Sequence, residues 1–78
     1  MYKEIFPIKL KNERDLLGLT QEQMAKKLNI SRVTYTNYEL GNRQPDIEKL
    51  GQIADICDRP VDWLIGRQWY AWITPIPQ

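Results

Sequence analysis

Side chains able to make or break covalent bonds are sparse in this chain of 78 residues. It has no histidine and one cysteine, Cys57, so the usual zinc-ligand spacings, nucleophile–base pairs and an internal disulfide are all excluded. The carboxylate pairs Glu13/Asp15 and Asp55/Asp58 fall on expected helix surfaces without an acid–base partner and read as solvated charges. Cys57 shares a helical register with Leu50 and Ala54, which makes it a small core residue rather than a redox site. What remains is noncovalent chemistry between Arg32 and Leu40. At about 100° per residue this segment sorts into two helix faces. Thr34, Tyr35 and Tyr38 point one way, and Arg32, Val33, Thr36, Asn37 and Leu40 point the other. Arginine can donate two hydrogen bonds to guanine and asparagine can pair twice with adenine, while Val33 and the Thr36 methyl suit thymine methyl groups. That is the chemistry of reading base edges in a major groove.

Such a face needs elements to hold it, and the punctuation predicts a string of short helices with no strand-like alternation. A first helix starts near Pro7, whose fixed backbone angle suits a first turn, and runs to Leu17 before Gly18, with Leu10 and Leu17 on its inner face. Thr20 and Gln23 form a capping box for a second helix over 21–28, with Met24, Ala25 and Leu28 inward. Asn29 suits a sharp turn and Ser31 caps a third helix from Arg32 that Gly41 ends. After the polar loop Asn42-Arg43-Gln44-Pro45, Asp46 caps a fourth helix with Ile47, Leu50, Ala54 and Cys57 at helical spacing. Gly51 inside it costs about 1 kcal/mol relative to alanine and is expected to mark a close helix–helix contact. Asp58-Arg59-Pro60 is another break, followed by a short helix over 61–65 and Gly66.

Length and a hydrophobic content of 42% allow one compact domain, placed at 1–66, followed by a tail at 67–78. The first residues lack the apolar run of a signal peptide and no segment approaches the roughly 20 apolar residues of a membrane span, so a cytoplasmic protein is expected. The net charge of +1 is unevenly spread: through Pro45 eight Lys/Arg face five Asp/Glu, and from Asp46 onward three face five. A basic first half can orient the molecule on a phosphate backbone. Phosphate contacts are expected from Gln21 at the start of the second helix, where free N–H groups meet the positive end of the dipole, and from Asn42, Arg43 and Gln44. For Lys26 simple solvation serves as well as contact.

The run Leu19-Thr20-Gln21-Glu22-Gln23-Met24-Ala25, followed by Leu28, Ile30-Ser31, Thr34-Tyr35, Tyr38-Glu39, Gly41, Arg43 and Pro45, resembles the phage repressor and Cro helix-turn-helix family, also called the xenobiotic-response-element family. The resemblance extends from about Leu10 through Gly66. It implies an all-α, five-helix domain whose second and third helices form the helix-turn-helix, bound as a dimer to a near-palindromic operator. The family's base-reading positions correspond here to Arg32, Val33, Thr36 and Asn37. Arg14 and Glu39 resemble a buried structural ion pair of the family. Glu13 departs from it, standing where an apolar residue is usual. Asp62-Trp63-Leu64-Ile65-Gly66 matches the family's last helix, placing Trp63 in the core or a dimer seam.

These readings converge on a sequence-specific transcriptional regulator, a repressor by expectation, that binds double-stranded DNA as a homodimer without cofactor, catalytic residue, metal or ligand-sensing domain. The aromatic tail, with Trp69, Tyr70 and Trp72, either folds over the core or packs against a second subunit, joined there by Trp63; it also offers a handle for a second protein. A membrane role is not expected. The rival readings are an antitoxin or restriction-controller subunit, an interaction module that has lost DNA binding and, remotely, an enzyme.

Overall fold

A computed structural model describes residues 2–66, with side chains from Glu4 onward. The described residues form five helices: α1 (Tyr2–Leu17), α2 (Gln21–Leu28), α3 (Arg32–Leu40), α4 (Ile47–Cys57) and α5 (Val61–Leu64). The expected all-α architecture and the bounds of α2 and α3 are as read from the caps. Thr20 accepts from the Gln23 amide while the Gln23 side chain accepts from the Thr20 amide, and Ser31 and Asp46 cap α3 and α4 through the amides of Thr34 and Lys49. α1, α2, α3 and α4 each end in paired backbone bonds over a left-handed residue, at Gly18, Asn29, Gly41 and Asp58.

α1 begins well before Pro7, which lies inside the helix rather than at its start. Proline there forgoes one backbone bond, and tertiary packing offsets the loss. Phe6 is buried one residue earlier, and a Cβ placed on Gly66 would meet Ile5 Cδ1 at 2.7 Å, so the first turns of α1 lie hard against the end of α5. The inner stripe of α1 is Phe6, Leu10 and Glu13, not Leu10 and Leu17. Leu17 is exposed because the helix ends there, and Leu19, beyond the turn, packs on the core instead.

Around this stripe gather Met24, Ala25 and Leu28 of α2, Tyr35 and Tyr38 of α3, Ile53, Ala54 and Cys57 of α4, and Leu64 of α5. Burying such side chains stabilises a domain by about 1.5–3 kcal/mol each for the larger ones. Two expectations for α4 fail. Ile47, its first residue, is 89% exposed, and Ile53 is the fully buried residue of the helix. Gly51 meets no heavy atom within 4 Å of an added Cβ, so it marks no close helix contact.

Glu13 is buried, contrary to its reading as a surface carboxylate, and its Oε1 accepts from Arg59 Nε at 3.2 Å. The pairing answers how a charge can stand where an apolar residue is usual: an arginine 46 positions away neutralises it. Asp15, Asp55 and Asp58 are exposed. Cys57 is a core residue as expected, and burial, with the charge of Glu13 beside it, pushes its thiol up to about 11.

Candidate nucleic-acid interface

The turn between α2 and α3 is three residues long and fixes their mutual angle. Asn29 takes the left-handed conformation (φ 58°), its N–H and that of Ile30 return to the carbonyls of Lys26 and Ala25, and Ser31 opens α3. Lys49 Nζ donates to the Leu28 carbonyl at 2.8 Å, so α4 caps the end of α2. No local signal in the sequence announces that contact.

α3 is held by its inner face. Tyr35 is fully buried and Tyr38 nearly so, in an edge-to-face pair with ring centroids 6.4 Å apart. Burial raises the pKa of both phenols, so they stay neutral. The outward face carries Arg32 and Val33, both exposed, Thr36 and Asn37, both half-buried, and Leu40, exposed. Arg32, Val33, Thr36 and Asn37 together line one shallow surface concavity. No acidic side chain lies among them. A second concavity, lined by Arg14, Thr20, Gln21, Glu22 and Arg32, opens beside the start of α2.

Arg14 and Glu39 form the expected ion pair, with side chains only 12% and 4% exposed. Arg14 Nε donates to Glu39 Oε2 at 2.6 Å and Nη2 to Oε1 at 3.2 Å, while Nη1 donates to the Leu19 carbonyl at 2.9 Å. The bidentate geometry suits an arginine–carboxylate pair removed from water. Burial pushes the Glu39 carboxyl up, but hydrogen bonds from Arg14, Tyr35 and Gln21 outweigh it and hold the group below its ordinary value. Two contacts of this network were not expected from sequence. The Tyr35 hydroxyl donates to Glu39 Oε2, an i,i+4 relation legible in principle, and the Thr36 hydroxyl donates to Gln21 Oε1 at 3.1 Å.

Gln21, expected to meet phosphate, is thus also tied into the body, its Nε2 donating to Glu39 Oε1 at 3.0 Å. One amide hydrogen remains, and the free N–H groups of the first turn of α2 stand beside it. Asn42, Arg43 and Gln44 are exposed on the loop after α3, and the next residue, Pro45, is buried and anchors it. Asn42 Nδ2 donates to Asn37 Oδ1 at 3.4 Å, which leaves Asn37 its amide hydrogens and a second lone pair. Lys26 is exposed. Trp63 lies on another part of the molecule: it packs on the core, with Lys9 Nζ 4.0 Å and the Arg59 guanidinium 4.5 Å from its ring centroid. Trp69, Tyr70 and Trp72 lie outside the described residues. No helix among the described residues is long and apolar enough to cross a membrane.

Comparison with known proteins gives the arrangement a context. Residues 10–64 match the sequence model of the helix-turn-helix family. The chain is 46% identical over 61 residues to an uncharacterized HTH-type transcriptional regulator of Bacillus subtilis, YqaE, covering 78% of this chain and 53% of the relative. It is 41% identical over 59 residues to the cryptic phage CTXphi transcriptional repressor RstR of Vibrio cholerae, covering 76% and 53%. With the HTH-type transcriptional regulator ImmR of Bacillus subtilis it shares 36% over 59 residues, covering 76% and 46%. The chain therefore spans about half the length of the curated relatives it matches. No solved structure matches closely enough to add to this. On the family match across most of its length, and on the capped α2–turn–α3 unit that carries it, the chain belongs to the helix-turn-helix family.

Proposed function

We propose that this chain is a DNA-binding transcriptional regulator, a repressor, that lays α3 in the major groove of an operator. One observation carries the reading: Arg32, Val33, Thr36 and Asn37 stand together on the outward face of a helix whose inner face is locked by Tyr35, Tyr38 and Glu39. A rigid helix presenting a cation, an amide and small apolar groups is what base-edge recognition requires. Arg32 and Asn37 supply paired hydrogen bonds, and Val33 and the Thr36 methyl supply apolar contact. Gln21 and the first-turn amides of α2 take one phosphate; Asn42, Arg43 and Gln44 grip the backbone beyond α3. The names of the relatives, transcriptional regulators and a phage repressor, favour the same role.

A homodimer on a two-fold symmetric operator completes the proposal, since one short reading helix covers too few base pairs to single out a site in a genome. In this reading the DNA-binding domain is 1–66 and the tail at 67–78 joins Trp63 in the subunit contact through Trp69, Tyr70 and Trp72, or serves a second protein. Selection from a random duplex library at two salt concentrations tests it. A symmetric site with half-sites about one helical turn apart is expected; enrichment of nothing at either salt would overturn the assignment.

A further inference from the structure

Glu39 is the acceptor-only end of a chain of hydrogen bonds that surfaces at Thr36. Its Oε2 takes Arg14 Nε and the Tyr35 hydroxyl, and its Oε1 takes Arg14 Nη2 and Gln21 Nε2. A carboxylate paired with arginine has no proton to give, so Gln21 turns its amide hydrogens toward Glu39 and its carbonyl oxygen the other way. There Oε1 accepts from the Thr36 hydroxyl at 3.1 Å. A hydroxyl has a single proton. With that proton on Gln21, the Thr36 oxygen has only lone pairs left for a group outside the protein. Thr36 is half-buried and shares the shallow concavity with Arg32, Val33 and Asn37, so its side chain stands among the groups presented outward.

In the major groove, adenine N6 and cytosine N4 are donors, whereas guanine offers only acceptors and thymine an acceptor and a methyl. We propose that Thr36 is a base-reading residue of fixed polarity: Gln21, oriented by Glu39, commits its proton, and Thr36 selects adenine or cytosine at one position of each half-site. The proposal rests on the DNA-binding reading above and adds the bases that one side chain prefers. Arg14, Glu39 and Gln21 act here as positioning residues, coupling the core to specificity through α2.

The test measures affinity for the wild-type selected site and for duplexes carrying each of the four bases at every half-site position, using the full chain and the variants T36V, T36S and Q21M. T36V is nearly isosteric at a partly exposed position, and thermal melts verify that each variant folds. In the wild type, one position is expected to prefer adenine or cytosine by about fivefold, the scale of one neutral hydrogen bond. T36V is expected to lose that preference and T36S to keep it. Q21M frees the hydroxyl proton and is expected to admit guanine or thymine at the same position, while weakening all duplexes evenly. An unchanged profile for T36V, a lost preference for guanine or thymine, or full retention of the preference in Q21M would overturn the proposal while leaving DNA binding standing. A wild type that selects no site would remove the DNA-binding reading and this proposal with it.

Discussion

Arg14→Met is the most demanding test of how α3 is held. The change keeps an unbranched stem reaching about as far as Nε and removes the guanidinium. Glu39 then loses two of its four donors, and the Leu19 carbonyl loses one. Because the Glu39 side chain is 4% exposed, water cannot replace them without opening the junction of α1 and α3. Stranding one member of a buried pair costs about 3–5 kcal/mol. Total stability at about 0.05–0.15 kcal/mol per residue is roughly 4–12 kcal/mol for a chain of this size, so the loss is a large share of it. Urea denaturation followed by helical circular dichroism is therefore expected to find the variant marginally folded. Its pH dependence gives a second readout. In the wild type the Glu39 carboxyl is held below its ordinary value, so its contribution is full above the usual carboxylate range and is lost as pH falls through the depressed value. Without Arg14, burial dominates and raises the carboxyl, so the variant is expected to lose stability as pH rises through the raised value. Adding Glu39→Gln, which removes the stranded charge but still accepts from Tyr35, is expected to restore part of the loss. A variant within about 1 kcal/mol of wild type, with an unchanged pH profile, would refute the reasoning.

Three further outcomes are expected. Gly51→Ala should raise stability by roughly 0.5–1 kcal/mol, read as a higher melting temperature, because the added methyl meets nothing and the helix gains propensity; a lower melting temperature would mean that α4 is closely approached there. Alkylation of Cys57 at pH 8 should be slow in the native protein and fast in denaturant, since a thiol raised to about 11 holds about a hundredfold less thiolate than an ordinary one; equal rates would contradict its burial. On the best DNA site, Arg32→Ala should cost about 1–3 kcal/mol and relax preference at one base pair. Arg43→Ala should instead weaken all duplexes evenly and reduce the salt slope by about one. Identical effects on random DNA would sink the division of labour.

The parts legible in the sequence are those written in local chemistry. Thr20 with Gln23, Ser31, Gly41 and Asp46 carry their own hydrogen-bonding partners within a few residues, so the bounds of α2 and α3 could be read directly. The outward set on α3 follows from helical period alone, and its exposure agrees with the wheel. What depends on distant partners was not legible. Pro7 reads as a helix start until Phe6 is seen buried and Ile5 packed on Gly66. Glu13 reads as solvated until Arg59 arrives from the far side of the chain. Ile47 and Ile53 show the same limit: both lie on one helix, but whether a residue meets the core depends on where α4 crosses α1 and α2, which its own period does not specify. The link from Glu39 through Gln21 to Thr36 joins two helices and needed the fold before it could be seen.

The central claim is that the outward face of α3 meets DNA, and backbone amide shifts on titrating the labelled chain with its selected duplex test it most directly. The expected result is that Arg32 to Leu40, the first turn of α2 and the loop at Asn42 to Gln44 show the largest changes, weakening together at higher salt for the phosphate contacts. Changes centred on Trp63 and α5, with α3 unmoved, would contradict it.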